Sequence, residues 1–240
     1  MMSRLIHARV ALPILLSALG SCSSNPAAPS EPEALVIDFS IGTQGWTAGF
    51  ADYPVGQEDF FELESDYRVL SPPLDTSTRA LYISGNNHSD DLFMFYKGQL
   101  RGLRPNTRYR AALAVQIATS VPNGCVGVGG SPGESVTVKA GATNVEPEAV
   151  VVDGNYRMNI DKGNQTNGGE DALVLGDVAN SVACGQMPRW ELKDLSSGSA
   201  TLEVTTDGQG ALWLFAATDS GFEATTSLYY TRFVVTLEVI

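Results

Sequence analysis

The pattern that most constrains this chain is a period of two. Tyr109, Ala111, Leu113, Val115 and Ile117 alternate with Arg108, Arg110, Ala112, Ala114 and Gln116. Only an extended strand sends such residues to opposite faces, so one face is expected to be buried. The alternation returns near the C-terminus, where Tyr229, Thr231, Phe233, Val235, Leu237 and Val239 take one face and Arg232, Thr236 and Glu238 the other. Shorter strands are expected at 34–40, 59–63, 79–84, 92–96, 135–140, 201–205 and 211–217. Leu92-Phe93-Met94-Phe95-Tyr96 is apolar on both faces, as a strand covered from two sides would be. Gly, Pro, Asn and Asp clusters punctuate these runs. No long helical period follows the N-terminal segment, although 168–180 has room for a helical turn or two. Many short strands between turns predict an all-β fold, an antiparallel β-sandwich.

The N-terminus is of another kind. Arg4 and Arg9 precede Val10-Ala11-Leu12-Pro13-Ile14-Leu15-Leu16-Ser17-Ala18-Leu19, a positive segment followed by a short apolar one. That is the layout of an export signal, and the apolar run is too short to span a bilayer stably. Leu19-Gly20-Ser21-Cys22 resembles the bacterial lipobox, which implies that residues 1–21 are removed and Cys22 carries the lipid. The alternative is a plain secretory signal with an incidental Cys. Residues 22–33, rich in Pro, Ser and Glu, read as a tether to the bilayer. Ser23 stands where an Asp would signal inner-membrane retention, so the expected address is the cell envelope, at the outer membrane. The sandwich would then occupy 34–240.

Charge excludes one class of partner. Removal of Arg4 and Arg9 takes the formal charge from −12 to about −14. Nucleic acid requires phosphate neutralisation by Lys and Arg, so no nucleic acid is expected as a partner. Of three cysteines, Cys125 and Cys184 remain once Cys22 is acylated. In an oxidising compartment they are expected to form a disulfide, with two free thiols as the alternative.

Several segments in order carry a resemblance. Ile37-Asp38-Phe39 is followed by Gly45-Trp46, by Ala80-Leu81-Tyr82-Ile83-Ser84-Gly85 and by Gly102-Leu103-Arg104-Pro105-Asn106-Thr107-Arg108-Tyr109. The last leads into an alternating strand, and Leu228-Tyr229-Tyr230-Thr231-Arg232-Phe233-Val234-Val235 closes the set. Together they resemble the galactose-binding-like jelly rolls of many carbohydrate-binding modules, over about 34–120 and 190–240. Residues 121–189 then read as a loop-rich insertion. Ser84 to Asp91 and Thr218 to Glu223 are similar to segments of bacterial envelope lipoproteins, a kinship that brings no known activity with it. Such jelly rolls often hold a structural calcium. Asp38 suits its first ligand position, but Tyr230-Thr231 stands where an Asp pair is common, so no cofactor is assigned and calcium stays open.

Catalytic constellations are weak. Gly129-Gly130-Ser131-Pro132-Gly133 has the spacing of a nucleophile elbow, but a β-like run follows where a helix is required, and a Gly-Pro loop is the plainer reading. His88 is the one His after the signal, which leaves no catalytic triad of ordinary spacing and no zinc site. His88, Asp90, Asp91, Asp219, Phe222 and Glu223 lie in turns beside strongly apolar strands. If those turns meet, their carboxylates converge to bind calcium or sugar hydroxyls, or to work as acid and base on a glycoside. The alternative is solvated turn chemistry. Trp46, Tyr53, Trp190 and Trp213 are candidates to stack on sugar rings; Trp46 reads as the surface one and Trp213 as core. The leading expectation is a non-catalytic binding module with a glycan ligand. A polysaccharide-acting enzyme and a structural or assembly lipoprotein are the alternatives.

Overall fold

The computed structural model describes residues 33–240; Cys22, the signal segment and the tether through residue 32 lie outside them. The described chain forms β1 (Glu33–Asp38), β2 (Thr47–Ala51), β3 (Tyr53–Pro54), β4 (Glu64–Val69), β5 (Arg79–Asn86), β6 (Leu92–Leu100), β7 (Arg108–Thr119) and β8 (Val136–Thr143). It continues with β9 (Ala149–Val152), β10 (Asn155–Met158), β11 (Ala172–Asp177), β12 (Glu191–Ser196), β13 (Leu202–Thr205), β14 (Leu212–Ser220) and β15 (Thr225–Val239). Two antiparallel sheets face each other. One runs β12-β7-β15-β5-β4, with β1 also on β15 and β13 also on β7; the other runs β11-β8-β14-β6-β2. The chain is an all-β sandwich.

Alternation decides which side chains meet between the sheets. Tyr109, Ala111, Leu113, Val115 and Ile117 of β7 pack in one core with Leu92, Met94 and Tyr96 of β6, Val136, Val138 and Ala140 of β8, and Leu212 and Leu214 of β14. Full burial of a side chain of this size contributes about 1.5–3 kcal/mol. β1 runs antiparallel beside β15, Ala34 opposite Thr236, as a jelly roll requires of its first and last strands.

β15 departs from the expected phase. Its register shifts between Tyr230 and Arg232, so Thr231 is the extra residue of a bulge. Below the bulge Leu228 and Tyr230 face the core, and above it Phe233, Val235 and Leu237 do. Tyr229 therefore turns outward, against Tyr82 and Trp190. A bulge flips the faces of everything on one side of it, which plain alternation cannot show.

Three further expectations are corrected. Residues 59–63 form a hydrogen-bonded turn instead of a strand: Phe61 N donates to Gln57 O at 2.9 Å and Glu62 N to Asp59 O at 3.2 Å, and Glu62 takes a positive φ outside the extended range of a strand. The 168–180 segment holds β11, which pairs with β8, instead of helix. Residues 121–189 are woven into the sandwich, since β8 and β11 belong to the five-stranded sheet. Only β9 and β10 leave it, and with β3 they make a small third sheet.

That small sheet explains the two-faced apolar strand. On the outer side of the five-stranded sheet, Phe93 and Phe95 of β6 and Phe215 and Ala217 of β14 are covered by Ala149, Met158 and Ile160. The Cys125–Cys184 disulfide is present, with an S–S distance of 2.05 Å across a separation of 59 residues. Closure of such a loop contributes roughly 4 kcal/mol in the chain-entropy model.

Candidate functional site

At one end of the sandwich two crossovers run side by side. The β5–β6 turn and the β14–β15 turn both pass between sheets, and Asn86 pairs with Thr225 while Leu92 pairs with Ser220. The register thus forces the turns together. Asn87, 1% exposed, staples them. Its Nδ2 donates to Ser220 O at 2.8 Å and to Phe222 O at 3.0 Å, and its Oδ1 accepts from Ser89 N at 3.0 Å. Gln165, from the segment after β10, donates to Asp90 O at 2.6 Å, while Glu223 N donates to Val128 O at 2.9 Å.

The six expected ligand residues of these turns divide sharply. His88, Asp90 and Glu223 are exposed, while Asp91 and Phe222 are half-buried. Asp219 is not in the turn at all. It lies on β14, wholly buried, with Lys139 Nζ at 2.8 Å and Lys162 Nζ at 2.9 Å from its Oδ2. Alternation accounts for this: Phe215, Ala217 and Asp219 share the outer face of β14, and the β10–β11 connection covers it. Asp219 is a buried structural charge, not a surface ligand.

Around Asp219 the chain assembles a cluster of three cations and three anions. Lys162 also lies 2.9 Å from Asp52 Oδ2, at angles too poor for a hydrogen bond. Arg157 Nη1 donates to Asp52 Oδ1 at 2.8 Å and lies 3.5 Å from Asp91 Oδ2. Both contacts run through Nη1, and the Arg157 side chain is 46% exposed. Asp91 Oδ1 is buried with no hydrogen-bond partner. Burial first, and then the charge of Asp52, push the Asp91 carboxyl up to about 6. Burial drives the Lys139 amine below its ordinary range. Lys162 is held above its ordinary range, because Asp219 and Asp52 outweigh the cost of its burial.

Asp52, Asp91, Arg157 and Lys162, with Asp161 and Asn164, line a depression of about 260 Å³ that opens to solvent. Asp161 is spent on the loop itself, accepting from Gly163 N at 3.0 Å and Glu170 N at 2.9 Å. Next to the depression Ser89 Oγ donates to Asp52 O at 3.0 Å. One residue earlier, His88 stacks on Phe60 at 4.1 Å between centroids, and Phe60 is 57% exposed. Among the described residues, no group of three or more His, Cys, Asp and Glu side chains is placed to hold a metal ion.

The aromatic expectations are largely reversed. Trp46 is 5% exposed, wedged between Phe39 and Phe233 and directly over Gly98, where a Cβ would lie 2.2 Å from its ring nitrogen. It closes the core at the edge strand and cannot stack on a ligand. Tyr53 is likewise buried, between Phe61 and Tyr156. Trp213 is half-buried on the outer face, with the Lys97 ammonium 5.6 Å from its ring centre. Ser131 donates to Glu134 in a loop that enters β8, so its surroundings are those of a turn.

Sequence reasoning missed Asp52, Phe60, Asn87, Lys139, Arg157 and Lys162. Lys139 alone carried a signal, as the one charge in Val136-Thr137-Val138-Lys139-Ala140-Gly141-Ala142.

No family model and no curated protein matches the sequence. Among solved structures, the chain is similar to TmCBM61 in complex with β-1,4-galactotriose, at 8% identity and a TM-score of 0.36, over 82% of this chain and 92% of that one. It is similar to a structure of carbohydrate-binding modules from the β-sandwich superfamily, at 7% identity and a TM-score of 0.36, over 82% and 58%. It is also similar to the enzymatically active domain of bacteriophage CBA120 tailspike protein 4, at 8% identity and a TM-score of 0.35, over 82% of this chain and 19% of that one.

Proposed function

We propose that this chain is a non-catalytic binding module, lipid-anchored at Cys22 in the cell envelope and directed to the outer membrane, and that it takes a glycan at the end where the two crossovers meet. The observation that carries the reading is the half-satisfied chemistry of the depression. Asp91 is half-buried with its Oδ2 3.5 Å from Arg157 Nη1, and the Arg157 side chain is 46% exposed, so a carboxylate oxygen and guanidinium donors face the opening together. A hydroxyl both donates and accepts, so neighbouring sugar hydroxyls satisfy both groups at once. The Phe60–His88 pair, whose His88 lies in the same turn as Asp91, offers an exposed apolar face for a ring.

The Asp91 carboxyl, raised to about 6, is the one feature that favours an enzyme, since a general acid needs such a value. Arg157 sits between it and Asp52, where the scissile bond would have to lie, and this favours binding over hydrolysis. The test is a glycan array probed with the whole chain and with Asp91→Asn, with and without calcium. A set of glycans bound by the wild type and lost in the variant is expected. Binding that Asp91→Asn leaves unchanged, or reducing ends released from an array glycan, would overturn the reading.

A further inference from the structure

We propose that Lys139 and Asp219 condense to an amide, so that a covalent bond other than the disulfide cross-links β8 to β14. Lys139 pairs across the ladder with Ala217, so its side chain reaches diagonally to Asp219, two residues on along the same face, within the span of a long side chain. Both side chains are wholly buried, and Nζ stands 2.8 Å from Oδ2.

Two observations favour the covalent state over the ion pair. The first is the orphaned oxygen. Lys139 and Lys162 both address Oδ2, while Asp219 Oδ1 is buried with no partner, a situation that carries a desolvation penalty. Condensation expels one carboxylate oxygen, and the remaining carbonyl oxygen keeps the Lys162 contact. The second is charge. The cluster holds Lys139, Lys162 and Arg157 against Asp52, Asp91 and Asp219. Removal of Lys139 and Asp219 together takes away one charge of each sign and leaves the balance intact, with Lys162 still on Asp52. Eliminating a buried ion pair relieves the desolvation of both ions.

The step balances without a co-reactant. The Nζ lone pair attacks Asp219 Cγ, the carbon–oxygen bond to the former Oδ1 breaks, and that oxygen leaves as water with two of the three ammonium hydrogens; the third stays on the amide nitrogen. Lys162, held as the ammonium, faces the oxygen on which negative charge develops. Burial frees the Lys139 amine for attack, whereas Lys162 has a second carboxylate to satisfy.

The experiment is peptide mapping of the whole wild-type chain, reduced, alkylated and digested with trypsin. An acylated Lys139 resists cleavage, so residues 111–157 are expected to appear joined to residues 194–232, at the sum of their masses less one water. Fragmentation should place the branch on Lys139 and Asp219. Asp219→Ala should release both segments and restore cleavage after Lys139. Recovery of unlinked wild-type peptides with normal cleavage at Lys139 would overturn the proposal, as would a branch mapped to Lys162. The wild-type map decides the matter even if the variant does not fold.

Discussion

Asp219 and Asp91 stand at the floor and the mouth of one charged cluster, and they look alike in sequence: each is an acid next to a turn and an apolar strand. At the floor, Asp219 is sealed under the β10–β11 connection with two ammonium groups on one oxygen. At the mouth, Asp91 is half-buried and keeps one loose contact, with Arg157 at 3.5 Å. The difference teaches that burial by itself does not mark a functional carboxylate. Each keeps one orphaned oxygen; what distinguishes them is that two ammonium groups close on Asp219 while Asp91 lines a depression open to solvent.

The sharpest way to break this contrast is to remove a floor charge. Asp219→Ala leaves two buried ammonium groups short of a partner, which should cost about 3–5 kcal/mol. That is a large share of a typical net stability of about 5–15 kcal/mol, and denaturant unfolding should show it. A loss under about 1 kcal/mol would mean that the floor is no more structural than the mouth.

At the mouth the effect should fall on affinity. Asp91→Asn and Arg157→Met are each expected to weaken glycan binding by about 1.5–3 kcal/mol, roughly tenfold to a hundredfold, with an unchanged circular dichroism spectrum. If either variant lost its fold before its ligand, the mouth would belong with the floor.

A pH titration of stability separates the two ends again. The Asp91 carboxyl is near 6 in the folded chain against about 3.9 in an unfolded one. The folded state therefore holds this proton more tightly, and the resulting stability is full below about pH 4 and lost as pH rises through 6. Allowing for partial solvent screening, the wild type should lose about 1–2 kcal/mol relative to Asp91→Asn between pH 4 and 7. Parallel stability curves for the two proteins would show that Asp91 is not desolvated.

The smallest effect is expected at the rim. Phe60→Ala removes an exposed ring stacked on His88, and its cost to binding should be about 0.5–1.5 kcal/mol. No change in glycan affinity by calorimetry would exclude the aromatic pair from the site.

Legibility followed how local the signal was. The faces of β7 could be read because ten successive residues obey one rule. The phase of Trp213 was also readable, since Leu212 and Leu214 point inward and force it out; its apolar neighbours suggested core instead. The bulge at Thr231 was not readable, because the hydroxyl that seats it finds Gln116 O, 115 residues away, at 3.0 Å. The cluster was hidden for the same reason. Lys139 and Lys162 lie 80 and 57 residues from Asp219, and only the β8–β14 register brings Lys139 to it. That the two turns meet follows from the β5–β15 and β6–β14 registers, which the sequence left open.

The place of β15 in its sheet bears on how the chain comes to be folded. This strand pairs with β1, β5 and β7, yet it is synthesised after all three. Until residues 225–239 emerge, β1 has no partner, and β5 and β7 each lack the neighbour that joins them. Pairings that span almost the whole described chain, such as Glu33 with Leu237, form slowly because loop closure must precede any gain from contact. The seven-stranded sheet is therefore expected to close only when residues 225–239 are available, and its unpaired edges are open to aggregation until then.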